Sequence, residues 1–172
     1  VMNASGCGST VKDYGHLLQG DPAYAERARR ISSLTRDLAE LLPMLVPALQ
    51  AARPELPAQV AARAPALVFH PPCSLQHGQK VRGVVEQQLA ALGLRIRVAD
   101  AEPHLCCGSA GTYSVLQPVL ATQLRDRKLG HLRPSATETI VSANIGCITH
   151  LQGGTAAPVR HWVEVLDDVL QG

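Results

Sequence analysis

The chain has 172 residues, enough for one ordinary domain with a hydrophobic core. Hydrophobic residues make up 46% and charged residues 17%, which is typical of a packed globular chain and excludes a disordered one. No apolar run approaches the ~20 residues that a membrane-spanning helix needs. One Trp, one Phe and three Tyr, with a net charge of +2 and no long basic block, argue against a nucleic-acid partner.

The part of the chain before position 66 is predicted to be mainly helical. Val1 lies in a segment typical of a strand end, so we expect the chain to be the C-terminal portion of a longer protein. Apolar residues at helical spacing predict a helix from Asp21 to about Val46. Its expected buried face consists of Ile31, Leu34, Leu38, Leu41, Leu42 and Leu45. Prolines then predict a broken helical connector over residues 47–65, which we interpret as a boundary between two structural halves.

From residue 66 onward, strand patterns alternate with helix patterns. Strands are predicted over residues 66–69, 94–98 and 138–142. Helices are predicted over residues 79–92, 118–129 and 162–170, the second with Val119, Leu120 and Leu124 facing inward. This order predicts right-handed crossovers and therefore an α/β fold with an open parallel sheet and flanking helices.

Five cysteines give the first indication of function. They are odd in number and not in the regular pairs of a disulfide scaffold. Cys73 follows the first predicted strand, Cys106 and Cys107 follow the second, and Cys147 follows the third. Because the carboxyl ends of parallel strands meet at one edge of the sheet, we expect these four thiols to converge. Metal ligation, thiol redox chemistry and inert buried thiols are the possible roles.

Thiolates are the preferred ligands of iron–sulfur clusters and of zinc, and an imidazole can replace one of them. We therefore predict that Cys73, Cys106, Cys107 and Cys147 form a metal site. His150 stands one helical turn after Cys147, so it is either a further ligand or a surface or capping histidine.

A glycine-rich stretch follows the cysteine pair. Gly108, Ser109 and Gly111 are predicted to bring backbone N–H groups close to sulfur or to an anionic group, the alternative being a simple turn. His70 and His161 are interpreted as structural residues, satisfied by nearby backbone groups.

Together these motifs resemble the cysteine-rich CCG domain family. The family pattern places one cysteine well before a Cys-Cys-Gly motif and another well after it, as Cys73 and Cys147 stand here on either side of Cys106-Cys107-Gly108. The family occurs in heterodisulfide reductases, in lactate-utilisation proteins, and in the iron–sulfur subunits of glycolate oxidase and anaerobic glycerol-3-phosphate dehydrogenase. Over essentially its whole length the chain resembles the glycolate oxidase iron–sulfur subunits, on the segments 3–8, 14–18, 106–113, 144–147 and 158–162.

The resemblance implies an electron-transfer subunit of a bacterial glycolate dehydrogenase complex. Its partners would be an FAD-binding subunit that oxidises glycolate to glyoxylate, further subunits of the complex and, indirectly, membrane quinone. The implied location is the cytoplasm, or the inner face of the cytoplasmic membrane as a peripheral protein. The equivalent subunit of a lactate or glycerol-3-phosphate dehydrogenase complex is the alternative, although lactate-utilisation members usually carry Phe-Gly-Gly-Thr-Phe after the Cys-Cys-Gly.

No catalytic residue is predicted, because a Gly-x-Gly-x-x-Gly dinucleotide motif after a strand is absent, and the chain alone is expected to be inactive. The resemblance implies an iron–sulfur cluster, either [4Fe–4S] or a noncubane variant. The family pattern ends Cys-x-x-Cys, however, and the last position here is His150, so a zinc ion or an empty site are alternatives. A zinc-stabilised docking module and a thiol–disulfide enzyme that uses Cys106 and Cys107 are the competing functions.

A short internal repeat suggests how the chain is organised. Asn3-Ala4-Ser5-Gly6-Cys7 is similar to Asn144-Ile145-Gly146-Cys147, and each precedes a helical stretch. We therefore interpret residues 1–65 as the end of a first CCG repeat plus the connector, and residues 66–172 as a second CCG repeat. On this interpretation Cys7 lies apart from the other four cysteines.

Overall fold

The computed structural model describes residues 1–171, so that Gly172, the last residue of the second predicted unit, lies outside it. A parallel sheet forms its centre, with the strand order β2-β1-β3-β4. The strands are β1 (Ala66–His70), β2 (Ile96–Val98), β3 (Glu138–Ser142) and β4 (Val159–His161). The predicted α/β class with an open parallel sheet is confirmed.

Helices precede and flank this sheet. They are α1 (Ser5–Leu17), α2 (Ala25–Leu34), α3 (Leu42–Ala52), α4 (Leu56–Arg63), α5 (Val84–Ala91), α6 (Tyr113–Leu116), α7 (Pro118–Leu132), α8 (Ile145–Gln152) and α9 (Trp162–Gln171). A short 3-10 helix covers Leu38–Leu41, and a π-helical turn covers Ser74–Gly78. Within the described part of the chain, no helix is both long enough and apolar enough to cross a membrane.

Hydrophobic residues pack on both faces of the sheet. In β1, Leu67 and Phe69 belong to one core and Val68 belongs to the other, as the alternation of side chains along a strand requires. The first core also holds Trp162 of α9, together with buried residues of α3 and α4. The predicted connector over residues 47–65 contributes Leu56, Val60 and Ala64 to this core, which it shares with the sheet.

The prediction of a single helix from Asp21 to Val46 is wrong. Asp21 does cap a turn, since its carboxylate accepts the N–H of Ala23, but the α2 helix ends at Leu34. Asp37 is extended and pairs in parallel with Met2, which forces the chain out of the helical conformation before the 3-10 helix begins. As a result, three residues of the expected buried face are instead exposed: Ile31, Leu34 and Leu45.

Two other helices differ from their predictions. The helix expected from Gln79 begins only at Val84, because Lys80 and Gly83 have positive φ angles of 60° and 71°, which an α-helix does not contain. In α7, Val119 and Leu120 are exposed, and the residues that turn inward are Ala121, Lys128 and Leu132. The short edge strand β4 is not predicted from the sequence, because so short a strand shows no period.

An ion pair ties β2 to β3. The Arg97 guanidinium donates to both carboxylate oxygens of Glu138, at 2.8 and 3.0 Å, and also to the carbonyl oxygen of Leu132. The hydrogen bond from Arg97 lowers the pKa of Glu138 to about 2, from the ordinary value near 4.5. The Glu138 carboxylate therefore stabilises the fold only while it is ionised.

We expect Arg97→Met to lower the free energy of unfolding near pH 7 by about 1 kcal/mol, a value that allows for solvent screening. Because the pKa of Glu138 is lower in the folded chain, its contribution is fully present above the ordinary pKa of about 4.5 and is lost as the pH falls towards 2. The variant should accordingly show a flatter stability curve between pH 5 and pH 2 in urea titrations. The matched control is Arg95→Met, at an exposed position just before β2, and an equal change in both variants would contradict the prediction.

Candidate metal centre

The structure brings four cysteines to the carboxyl edge of the sheet. Cys73 follows β1, Cys106 and Cys107 lie in the loop after β2, and Cys147 lies in the first turn of α8, after β3. They line one cavity of about 160 Å³. The other lining residues are Gly6, Ser74, Ala110, Gly111 and Asn144. The predicted convergence of the four thiols is thus what the structure shows, whereas their role as ligands stays a prediction.

Burial divides these cysteines into two pairs. Cys107 and Cys147 are buried, with 1% and 7% of their surface exposed, and both belong to the second hydrophobic core. Cys73 and Cys106 are partly exposed, and no disulfide joins any of the five cysteines of the chain. A group held by all four cysteines would therefore have both buried and partly exposed ligands.

Hydrogen-bond donors surround the sulfur atoms. The N–H of Gly108 donates to Sγ of Cys106 at 3.3 Å, and Nδ2 of Asn144 donates to Sγ of Cys147 at 3.8 Å. Cys147 also lies in the first turn of α8, where the helix dipole favours a negative charge. These contacts stabilise thiolate rather than thiol, and thiolate is the form that binds metals.

The four thiols are close enough to influence each other's ionisation. Hydrogen bonds from the thiols of Cys107 and Cys73 lower the pKa of Cys106, and a hydrogen bond from Cys107 lowers the pKa of Cys147. The pKa values of Cys73 and Cys107 are raised, because both thiols donate to Cys106. The lowered pKa values favour the thiolate form of Cys106 and Cys147. A bound cation would favour the thiolate form of the other two cysteines as well.

A buried ammonium group lies beside this cavity. Lys128 of α7 is fully buried, and its Nζ donates to the carbonyl oxygens of Glu102 and Pro103, at 3.1 and 3.0 Å. Burial lowers its pKa, while the nearby sulfur atoms of Cys73 and Cys107 oppose that change when they are ionised. Lys128 thus anchors the loop that leads to the cysteine pair, and in its protonated form it places a positive charge near the sulfur atoms.

The predicted glycine-rich loop meets the cavity only in part. Gly111 lines it, and Gly108 contributes the N–H group that donates to Cys106. Ser109 is buried, and its backbone forms a hydrogen bond with the Cys107 side chain. This contact lowers the pKa of Cys107 and so partly offsets the effects that raise it. Whether these three residues contact a cofactor stays a prediction.

The structure places His70 differently from the sequence analysis, whereas the position of His150 agrees with the second of the two roles left open for it. His150 does not line the cavity, and its Nε2 lies 3.1 Å from the carbonyl oxygen of Ala121. His70, interpreted from the sequence as structural, instead has a ring nitrogen within 4.8 Å of the sulfur atoms of both Cys107 and Cys147. The only sequence signal for His70 is its place directly after a buried apolar strand and shortly before Cys73.

These donors fit a metal centre bound by thiolates. Four soft sulfur ligands from separate loops suit an iron–sulfur cluster or a zinc ion. Both ring nitrogens of the buried His70 lack a hydrogen-bond partner, which is costly unless another group satisfies them. We therefore regard the cavity as a candidate metal centre.

The Cys-Cys-Gly motif depends on a glycine at position 108. Gly108 has φ of +90°, and a Cβ atom there would lie 2.3 Å from the carbonyl oxygen of Ala121. Gly111 has φ of +62°, but a Cβ atom there would meet nothing within 4 Å. A side chain at either position would therefore strain the backbone. Only at position 108 would it also collide with the backbone of Ala121.

We expect Gly108→Ala to lower the free energy of unfolding of the metal-free chain by roughly 3–5 kcal/mol, because strain and overpacking add. Gly111→Ala should cost only about 1–2 kcal/mol, for the left-handed conformation alone. Urea unfolding followed by circular dichroism measures both. Equal losses would contradict the close approach of the loop to α7.

The chain is similar to known bacterial proteins over nearly its whole length. Residues 67–152 match the family described as the CCG cysteine-rich domain. The chain is 46% identical to the glycolate oxidase iron-sulfur subunit of Escherichia coli strain K12 over 173 aligned residues, which cover 99% of this chain and 40% of that protein. It is 30% identical to lactate utilization protein A of Geobacillus kaustophilus, covering 97% of this chain and 69% of that protein. It is 28% identical to a probable glycolate oxidase iron-sulfur subunit of Bacillus subtilis, covering 90% of this chain and 33% of that protein.

Proposed function

This chain belongs to the cysteine-rich CCG domain family, and we propose that it forms part of the iron–sulfur subunit of a glycolate oxidase complex. The observation that supports this most strongly is the cavity that four cysteines from three strand ends share. The 46% identity to a glycolate oxidase iron-sulfur subunit extends over nearly the whole chain. Because the chain spans only 40% of that relative's length, the activity of the whole protein is inferred by similarity.

In the proposed complex, an FAD-binding subunit oxidises glycolate to glyoxylate. Electrons then pass through a metal centre in this chain towards a quinone-type acceptor. The partial exposure of two of the four cysteines, Cys73 and Cys106, supports this role, because electrons must reach and leave a bound centre. We propose that the chain works in the cytoplasm or at the inner face of the cytoplasmic membrane, next to its partner subunits.

The proposed cofactor is an iron–sulfur cluster, with Cys73, Cys106, Cys107 and Cys147 as its ligands. Its type, [4Fe–4S] or noncubane, follows from how many protein ligands the cavity provides. Once bound, such a cluster supplies a reversible one-electron carrier. The surrounding residues hold the thiolates in place, as Gly108 and Asn144 do through their hydrogen bonds to sulfur.

The similarity of the two ends of the chain supports the proposed repeat. Met2 pairs in parallel with Asp37, and Ser142 pairs in parallel with His161. The α1 helix starts shortly after Met2 and the α8 helix shortly after Ser142, each from an extended N-cap residue. We propose that residues 1–65 end a first CCG repeat and that residues 66–172 form a second.

Two other functions use the same cavity. Similarity to lactate utilization protein A supports the equivalent subunit of a lactate-oxidising complex. The residues after the Cys-Cys-Gly of this chain, Ser109–Tyr113, differ from the Phe-Gly-Gly-Thr-Phe that the sequence analysis takes as usual for lactate-utilisation members. A zinc-stabilised docking module would use the same four thiols, since zinc prefers four soft ligands. Metal identity separates this module from both electron-transfer functions.

We expect the chain, reconstituted anaerobically with iron and sulfide, to become brown and to hold both elements. Cys107→Ser should remove most of the bound iron, because it deletes a buried ligand at the centre of the thiol cluster. The matched control is Cys7→Ser, since Cys7 is exposed and does not line the cavity. Iron and acid-labile sulfide analysis measures both. A colourless chain that binds zinc would favour the docking module, and equal iron loss in both variants would contradict the ligand assignment.

We expect no glycolate oxidation by the chain alone. Breaking the substrate C–H bond needs a two-electron acceptor such as a flavin, and a thiolate-bound metal centre passes single electrons. Purified chain incubated with glycolate and an artificial electron acceptor should give no turnover above background. Adding the flavin subunit should restore turnover. Activity without that subunit would refute the electron-transfer assignment.

A further inference from the structure

A buried histidine lies next to the two buried cysteines of the candidate metal centre. His70 is the last residue of β1 and is completely buried. One of its ring nitrogens and the sulfur atoms of Cys107 and Cys147 all lie within 4.8 Å of one another. Ligand atoms on a tetrahedral metal with bonds of about 2.0–2.3 Å are roughly 3.5–4 Å apart, so small side-chain movements would bring all three into coordination.

The imidazole of His70 faces the thiols: within the described part of the chain, its interaction with the Cys147 side chain helps to lower the pKa of Cys147, although the two groups do not form a regular hydrogen bond. Neither of its ring nitrogens has a hydrogen-bond partner, although both are fully buried. A buried polar group without a partner destabilises a fold, so native proteins rarely retain one that serves no purpose. The backbone around it is well held, because the hydroxyl of Ser142 donates to the carbonyl oxygen of His70 at 3.0 Å.

We propose that His70 is a nitrogen ligand of this metal centre, together with Cys107 and Cys147. This inference rests on the proposed function only in requiring that the cavity binds a metal. It assigns the nitrogen ligand to His70, which lies within ligand distance of both buried sulfur atoms, and not to His150, whose Nε2 lies 3.1 Å from the carbonyl oxygen of Ala121. β1 and α8 would then contribute one buried ligand each from adjacent strand ends.

A neutral imidazole changes the charge of such a centre. Each thiolate brings one negative charge and His70 brings none, so a centre with His70 as ligand is less negative than one with a further cysteine. Replacing thiolate with imidazole raises the reduction potential of iron–sulfur centres. His70→Cys should therefore lower the reduction potential of the reconstituted centre. It should also remove the nitrogen ligand, a change that would not occur if His70 only packed beside the metal.

The test uses pulsed electron paramagnetic resonance on the chain reconstituted with iron and sulfide. We expect a ¹⁴N coupling of the size typical of a coordinated imidazole, which changes to a ¹⁵N pattern when the chain is labelled with ¹⁵N-histidine. The coupling should vanish in His70→Cys, with iron content retained and a lower midpoint potential. It should persist in the matched control His150→Gln. A coupling that survives His70→Cys, or that is absent from the unmodified centre, would overturn the proposal.

The same variants distinguish failure of this inference from failure of the proposed function. If no iron centre forms, Co²⁺ is used as the probe, since its visible bands report the number of thiolate and imidazole ligands. His70→Cys should then increase the sulfur-to-cobalt charge-transfer absorption, and His150→Gln should leave it unchanged. An identical cobalt spectrum in the unmodified chain and in His70→Cys would overturn the role of His70. Circular dichroism on each variant checks that the fold is retained.

Discussion

The parallel direction of β1, β2 and β3 is the constraint on which the metal centre depends. Parallel strands must return by crossovers, so their carboxyl ends share one edge of the sheet. Cys73, the Cys106–Cys107 pair and Cys147 are far apart in the sequence, yet each follows one of these ends. The sheet therefore brings three loops that are distant in the sequence together around one cavity.

Placing thiolates at the border of a hydrophobic core is costly, and the surrounding structure offsets that cost. Two sulfur atoms lie in the second core, where an isolated negative charge would destabilise the fold. The N–H of Gly108 and the amide of Asn144 donate to sulfur, and the buried ammonium of Lys128 brings a compensating charge. A bound cation would add to this compensation and would oppose the raised pKa values of Cys73 and Cys107.

Helices and strands that follow from the spacing of nearby residues could be predicted from the sequence. Features that depend on contacts between distant parts of the chain could not. The strand over residues 138–142 and the end of α5 before Gly93 follow from apolar runs and a glycine with positive φ. The break between α2 and α3 does not, because Asp37 leaves the helix to pair with Met2, at the far end of the helical region. The position of His70 beside the thiols is hidden for a similar reason, since its lack of a partner is visible only once the strands are aligned.

The amino-terminal helix takes part in the site as well as in the core. The N–H of Gly6 donates to the side-chain oxygen of Asn144, and the N–H of Ser5 donates to the carbonyl oxygen of Ala143, which fixes the start of α1 against the start of α8. Gln79 links the same helix to Asp37 by donating to both Ser5 and Asp37. Because Gly6 lines the cavity, the helical region that precedes the sheet closes one side of it. A metal bound by the cysteines of the sheet would therefore stabilise the packing of both parts of the chain, and loss of the metal would loosen the contact between α1 and α8.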